Sequence, residues 1–236
     1  MALSLKSIAQ DCLGLTPQFS VVRDFFGYIF GTPNVDLSLK RQLELVQGDC
    51  TNLSIILVGH ELDFSGVVTQ AQIDEAQAAI QGARNIYAQV DLGIRRIYWS
   101  YIPLADAGNY TIISDKPEAT DLTDDWSADN EGIDVFYVQS ILNAGGWSTT
   151  PGPCDKNDKD DQTGAVIEFG KSDAFAGILL AHEVGHYLGL SHDAAMSNVM
   201  GVDSDSDGIG ELDGTSTGVT NNQGNTMKGH CSVSSC

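Results

Sequence analysis

The sequence has little positive charge and no long apolar run. Twelve Lys and Arg residues stand against 32 Asp and Glu residues, which gives a net charge of −20. We therefore expect no nucleic-acid partner, because binding to phosphates requires clustered basic side chains. No run of about 18 consecutive apolar residues occurs, so the sequence predicts no membrane span.

The first residues also lack the charged start and continuous apolar stretch of a secretory signal peptide. The chain of 236 residues, 42% of them hydrophobic, is nevertheless sufficient for a folded core. In an oxidising compartment its five cysteines would form two disulfides and leave one thiol. The acidic surface and the cysteines together favour a secreted protein, which we expect to be a monomer. The cysteines are Cys12, Cys50, Cys154, Cys231 and Cys236.

The segment 182–192 contains three histidines and one glutamate. In a helix, His182 and His186 lie one turn apart on the same face and can bind one metal ion. Glu183 projects about 100° further round the helix, so it can reach a water held by the metal but cannot be a ligand beside the histidines. Gly189 can end the helix in a left-handed conformation, after which the chain turns back with His192. Three imidazoles with one open position are typical of a catalytic zinc site.

The sequence of this segment, HEVGHYLGLSH, resembles the long zinc-binding signature of the metzincin metallopeptidases. Met200 matches the methionine that this family places in a turn beneath the zinc. It follows His192 by eight residues, a spacing similar to that of the matrixins, whereas Asp193 is similar to the adamalysins. The subfamily therefore stays open. A second histidine, His60, begins a His-Glu pair but has Phe64 at the fourth position on, so we interpret it as a strand-end or loop residue.

The resemblance implies a zinc-dependent endopeptidase. His182, His186 and His192 would bind Zn²⁺, Glu183 would act as general base and then general acid, and Met200 would form a hydrophobic floor. The alternatives are a binding module in which the metal only organises a surface, and a toxin or effector protease with one host target. The carboxylate of the motif argues against the first, and a screen of natural substrates would separate the second.

The resemblance also implies how substrates bind and how the tail is attached. In metzincins the strand in the position of 165–169 lies at a sheet edge, where an extended protein or peptide substrate can dock as an added strand. The same residues are compatible with an ordinary core strand. Cys154 would pair with Cys231 or Cys236, as in adamalysins.

Hydrophobic patterning predicts strands at 54–58, 94–101 and 133–138, with a helix from a Thr69 capping box between the first two. The resemblance implies an α+β fold: a twisted, mostly parallel sheet with an antiparallel edge strand, a backing helix, the active-site helix, and a small irregular C-terminal subdomain with a closing helix. The catalytic domain would be 51–236, with an upper part 51–189 and a lower part 190–236.

Two regions lie outside this pattern. Residues 1–50 are either an extension packed on the body or a pro-segment in which Cys12 or Asp11 blocks the zinc. The run 203–208, with Asp203, Asp205 and Asp207, resembles the start of a calcium loop. Gly214 stands where a bidentate glutamate is expected, so Glu211 or Asp213 would have to substitute for it; the alternative is a solvated acidic loop.

Overall fold

A six-stranded, mostly parallel sheet carries the fold in the computed structural model, which describes residues 48–157, 161–201 and 212–236. The strands are β1 (Asp49–Val58), β2 (Leu92–Ile102), β3 (Ile112–Ile113), β4 (Ile133–Val138), β5 (Ser140–Ile141), β6 (Gly146–Trp147), β7 (Gly164–Glu168) and β8 (Val233–Ser235). The helices are α1 (Gln70–Tyr87), α2 (Leu104–Ala107), α3 (Lys116–Trp126), α4 (Asp173–Tyr187) and α5 (Asn221–Lys228), with a 3₁₀ turn at Ala88–Val90.

The strand order is β2-β1-β4-β7-β6, in which all neighbours are parallel except β6 and β7, and the sixth strand, β8, pairs antiparallel with the start of β1. The fold class predicted above, including the antiparallel edge strand, is therefore confirmed. The position of that edge differs from the expectation. The strand at 165–169 corresponds to β7, which lies between β4 and β6, and the edge is formed by β6. The sequence predicts no strand at 146–147, because a strand of two residues is too short to show the alternation that identifies strands.

The β1–α1–β2 crossover forms as the patterning predicts. The side-chain oxygen of Thr69 accepts a hydrogen bond from the Gln72 N–H (3.4 Å), and the Gln72 side chain accepts from the Thr69 N–H (2.8 Å), so the capping box is present. The apolar face of α1 is buried against the sheet and α4. β1 begins earlier than predicted, at Asp49, because its first residues pair with β8.

α1 and α4 cross with their backbones almost in contact. A Cβ added to Gly82 would lie 2.7 Å from the Gly177 Cα, closer than real Cβ atoms come to other heavy atoms. One turn beyond this crossing, the Tyr87 hydroxyl donates to the Ala181 carbonyl (2.7 Å). These contacts with α1 therefore fix the position of α4, the helix that contains His182 and His186.

Two disulfides join the C-terminal segment to the body. Cys50 pairs with Cys236 at the start of β1, and Cys154 pairs with Cys231. The second pairing is one of the two that the resemblance implied. The predicted closing helix is present as α5, and its capping box of Thr220 and Gln223 is formed. No helix in the three described ranges is long and apolar enough to cross a membrane.

Several predictions concern residues outside the described ranges. These are residues 1–47 of the predicted 1–50 extension, with Asp11 and Cys12, and the acidic run with Asp203, Asp205, Asp207 and Glu211. The remaining calcium candidate, Asp213, accepts hydrogen bonds from the Thr215 N–H and hydroxyl (both 2.6 Å). The described residues thus give no support for a calcium ion.

A buried ion pair lies at the start of β4. The Asp134 side chain is fully buried, and it accepts hydrogen bonds from the Lys156 ammonium (2.7 Å), the Ser127 hydroxyl (2.8 Å) and the Ala128 N–H (3.1 Å). Burial raises the pKa of Asp134, and the Lys156 charge opposes that rise. The carboxylate is therefore tolerated because a cation and two further donors compensate for lost hydration.

We expect Lys156→Met to lower the free energy of unfolding by about 3–5 kcal/mol, because it leaves a buried carboxylate without its cation. Denaturant unfolding measures this change. The matched control is the double variant Asp134→Asn/Lys156→Met, which removes both charges and should lose much less. Equal losses in the single and double variants would contradict this account.

Candidate active site

The central part of the site is built on α4, which is buried around most of its circumference. Ser172 occupies its N-cap position, although its side chain makes no capping hydrogen bond. The helix ends at Tyr187, and Gly189 adopts a left-handed conformation (φ 95°) as the motif predicts. The Leu190 N–H then donates to the Gly185 carbonyl (2.9 Å). These bonds reverse the chain after the second histidine.

The reversal brings the third histidine back to the first two. The Nε2 atom of His186 lies 3.0 Å from that of His182 and 3.1 Å from that of His192. A tetrahedral zinc ion with Zn–N distances of about 2.0–2.1 Å separates its nitrogen ligands by roughly 3.3–3.4 Å. The three nitrogens therefore converge to within a few tenths of an ångström of such a site, and the triad could hold a metal ion.

Backbone carbonyls orient two of the rings. The Nδ1 of His182 lies 2.7 Å from the Val199 carbonyl oxygen, and the Nδ1 of His186 lies 2.7 Å from that of Leu190. A carbonyl oxygen only accepts, so each Nδ1 carries the proton and each Nε2 keeps its lone pair. The Thr150 hydroxyl lies 3.2 Å from the same Nδ1 of His186. Metal-binding histidines generally donate the N–H of the ring nitrogen that does not bind the metal to such an acceptor.

Burial also keeps the rings neutral. It lowers the pKa of His182 to about 3 and that of His186 to about 4, and it lowers the pKa of His192 as well. The neighbouring imidazoles add to the effect on His182. Because only a neutral imidazole can donate a nitrogen lone pair, the triad is ready to bind a cation at neutral pH.

Glu183 follows the first histidine on α4, and only 4% of its surface is exposed. Burial raises its pKa to about 8, and the positive charge of Lys116 acts in the opposite direction. Among the described residues, no group donates a hydrogen bond to this carboxylate. A carboxyl group with a pKa near neutrality can both take up and release a proton under ordinary conditions.

Met200 is fully buried beneath the site. A Cβ added to Gly185 would lie 2.9 Å from the Met200 sulfur, so the helix and the turn meet closely at this point. The Asn198 side-chain oxygen accepts a hydrogen bond from the Met200 N–H (2.9 Å). The Asn198 and Gln223 amides also bond reciprocally, at 2.9 Å in both directions, which ties the turn to α5.

Sequence reasoning missed several residues of this arrangement. Thr150 and Asn198 stand in segments with no distinctive pattern, and Gln223 is distinguished only by its capping box with Thr220. Gly146, which contacts Glu183, lies outside the strands and helices predicted from the sequence. The pair Gly145-Gly146 beside a tryptophan was a usable signal, since glycine in a strand often marks a close approach. His230 accounts for the fifth histidine, with its Nε2 3.0 Å from the Gly152 carbonyl oxygen.

Residues 127–235 match a family model described as Metallo-peptidase family M12B Reprolysin-like. That range contains the three histidines, Glu183 and Met200. This part of the chain is similar to the reprolysin-like metallopeptidases. The resemblance inferred from the motif is thereby confirmed for this segment.

Among solved structures, this chain is similar to metalloproteinase-II from Bacteroides fragilis, with 13% identity and a TM-score of 0.48. The similarity covers 75% of this chain and 52% of that one, so the present chain spans about half the length of its relative. No curated protein matches the chain.

We expect the purified chain to bind about one zinc ion, and His192→Ala to lose it, because two imidazoles cannot complete the site. Metal analysis after dialysis measures this stoichiometry. His230→Asn is the matched control, since it removes an imidazole that lies outside the triad, and it should keep the ion. A zinc content unchanged in His192→Ala would show that the convergence of the three rings has another cause.

Proposed function

We propose that this chain is an extracellular endopeptidase that hydrolyses peptide bonds in proteins, with Glu183 as general base and then general acid. The observation that carries the proposal is the convergence of three Nε2 atoms within about one ligand spacing, with a buried carboxylate on the adjacent helical position. The two disulfides support an extracellular location. We expect the enzyme to act as a monomer.

In this proposal His182, His186 and His192 hold the zinc ion. When bound, zinc acts as a Lewis acid that polarises the substrate carbonyl and makes water a stronger nucleophile. The Val199 and Leu190 carbonyls keep two of the rings in the required tautomer. Met200 fills the space below them as an apolar floor and does not act as a ligand.

Glu183 moves the proton. Its carboxylate accepts a proton from the attacking water and then delivers it to the departing amine. Burial strengthens its hold on the proton, whereas a bound cation weakens it. These opposing effects on the Glu183 pKa suit a carboxyl group that must first accept a proton and then release it.

The open edge of β6 is the proposed docking place for the substrate. The Glu168 N–H donates to the Gly145 carbonyl (3.0 Å), and Trp147 pairs with Val166. In an antiparallel ladder, hydrogen-bonded and non-hydrogen-bonded pairs alternate, so the N–H and C=O of Gly146 point away from β7. An extended peptide can therefore pair with Gly146 as an added strand beside the triad.

The domain assignment belongs to the same proposal. The catalytic domain would run to residue 236, with the division between its upper and lower parts at 189/190, where the chain reverses. We place its start just before Asp49, since Cys50 is already part of β1 and bonded to Cys236. Residues preceding β1 are an extension or a pro-segment, and the activity of a chain lacking 1–47 would distinguish these roles.

We expect Glu183→Gln to lower kcat by about 10²–10⁴-fold while zinc stays bound, because the amide fills the same space but cannot accept the proton. Cleavage of a peptide library, identified by mass spectrometry with and without a zinc chelator, measures the activity. The parent should cut the library only without chelator. A variant as active as the parent would refute the role of Glu183, and a zinc-loaded parent that cuts no peptide would favour a binding module.

A further inference from the structure

Gly146 of the edge strand lies directly against the side chain of Glu183. A Cβ added to Gly146 would be 2.6 Å from Oε1, 2.7 Å from Cγ and 2.8 Å from Cδ of Glu183. Real Cβ atoms do not come closer than 3.0 Å to other heavy atoms. The carboxyl group therefore occupies the volume that any side chain at position 146 would need.

Hydrogen bonds do not explain where this carboxyl group lies. No described residue donates to it, and Lys116 acts on it only through its charge. The carboxyl group is also buried, with α4 on one side and β6 on the other. Packing against the Gly146 backbone is consequently the contact that limits its position on the side of the edge strand.

We propose that Gly146 is a positioning residue for Glu183: its missing side chain leaves the space in which the carboxyl group is held at the triad. This inference rests on the proposed function, because it assigns the position of the proposed general base. It adds a residue outside the zinc-binding motif to those on which the reaction depends.

The same residue would also connect substrate binding with the position of the base. The outward N–H and C=O of Gly146 are the groups that an added substrate strand would pair with, and its Cα faces Glu183. A strand paired with β6 would hold this backbone more firmly. The strand β6 would then fix the position of the scissile bond relative to the Glu183 carboxyl group, and proton transfer requires such a fixed geometry.

The substitution Gly146→Ala isolates this contact. The backbone of Gly146 is not left-handed, so alanine is not strained at this position by its φ angle. The new methyl group must instead displace the Glu183 carboxyl group. Gly145→Ala is the matched control, since its Cβ would meet only Leu179 methyl groups, at 3.4 and 3.5 Å.

With a library-selected fluorogenic peptide, we expect Gly146→Ala to lower kcat about 10- to 100-fold, because a shift of about 1 Å can have that effect. KM should stay within about twofold, since the backbone groups that pair with substrate are unchanged. The zinc content and the melting temperature should stay at the parent values. Gly145→Ala should keep kcat within about threefold, as an ordinary contact allows. Loss of zinc or of folded protein together with kcat would instead indicate a merely structural role and overturn the inference.

A structural measurement makes the test independent of activity. A crystal structure of zinc-loaded Gly146→Ala should show the Glu183 carboxyl group displaced from its parent position, with the three histidines in place. An unmoved carboxyl group would overturn the inference even if the enzyme assignment holds. Absence of zinc-dependent cleavage in the parent would refute the proposed function, and the displacement would still decide the packing contact.

Discussion

The site depends on two imidazole N–H groups that donate to backbone carbonyls. His182 donates to Val199 and His186 donates to Leu190, both at 2.7 Å. These bonds determine which nitrogen of each ring faces the third histidine. They also join α4 to the segment that follows it, because both acceptors lie beyond the reversal at Gly189. The catalytic helix and the turn beneath it are in this way one unit, and metal affinity would depend on how well that unit is held together.

Close backbone approaches at glycine hold this unit against the sheet and the backing helix. Gly82 meets Gly177 where α1 and α4 cross, and Gly185 admits the Met200 sulfur from below. Gly146 admits the Glu183 side chain from the edge strand. At each of these glycines, an atom of a neighbouring element occupies the space that a side chain would need. The helix therefore has little freedom to shift, which suits a site whose groups must stay in register.

Much of the site could be predicted from the sequence because its residues are local. The segment 182–192 gives the histidine spacing, the helix and its glycine end within three turns, and all of these are present. The bounds of the buried strand β4 also match the prediction, since buried parallel strands are rich in apolar residues. The histidine-rich motif thus carried both the fold class and the enzyme class.

What could not be predicted depends on contacts between distant segments. β6 has only two residues and shows no strand pattern in the sequence, so we expected the edge at 165–169 instead. The Asn198–Gln223 amide pair joins positions 25 residues apart, and nothing in either local sequence indicates the other. The choice of Cys231 over Cys236 as the partner of Cys154 likewise depends on the tail pairing with β1, which brings Cys236 to Cys50.

The helix crossing at Gly82 has a consequence for how this scaffold can vary. Gly177 precedes His182 by five residues, which is about 7.5 Å along the helix axis. A bulkier residue at 82 would push α4 away from α1, and a rigid helix would carry that shift undiminished to the ligand rings. The contact between these two helices thereby limits which substitutions preserve the positions of the three histidines, although Gly82 is not one of the candidate metal ligands.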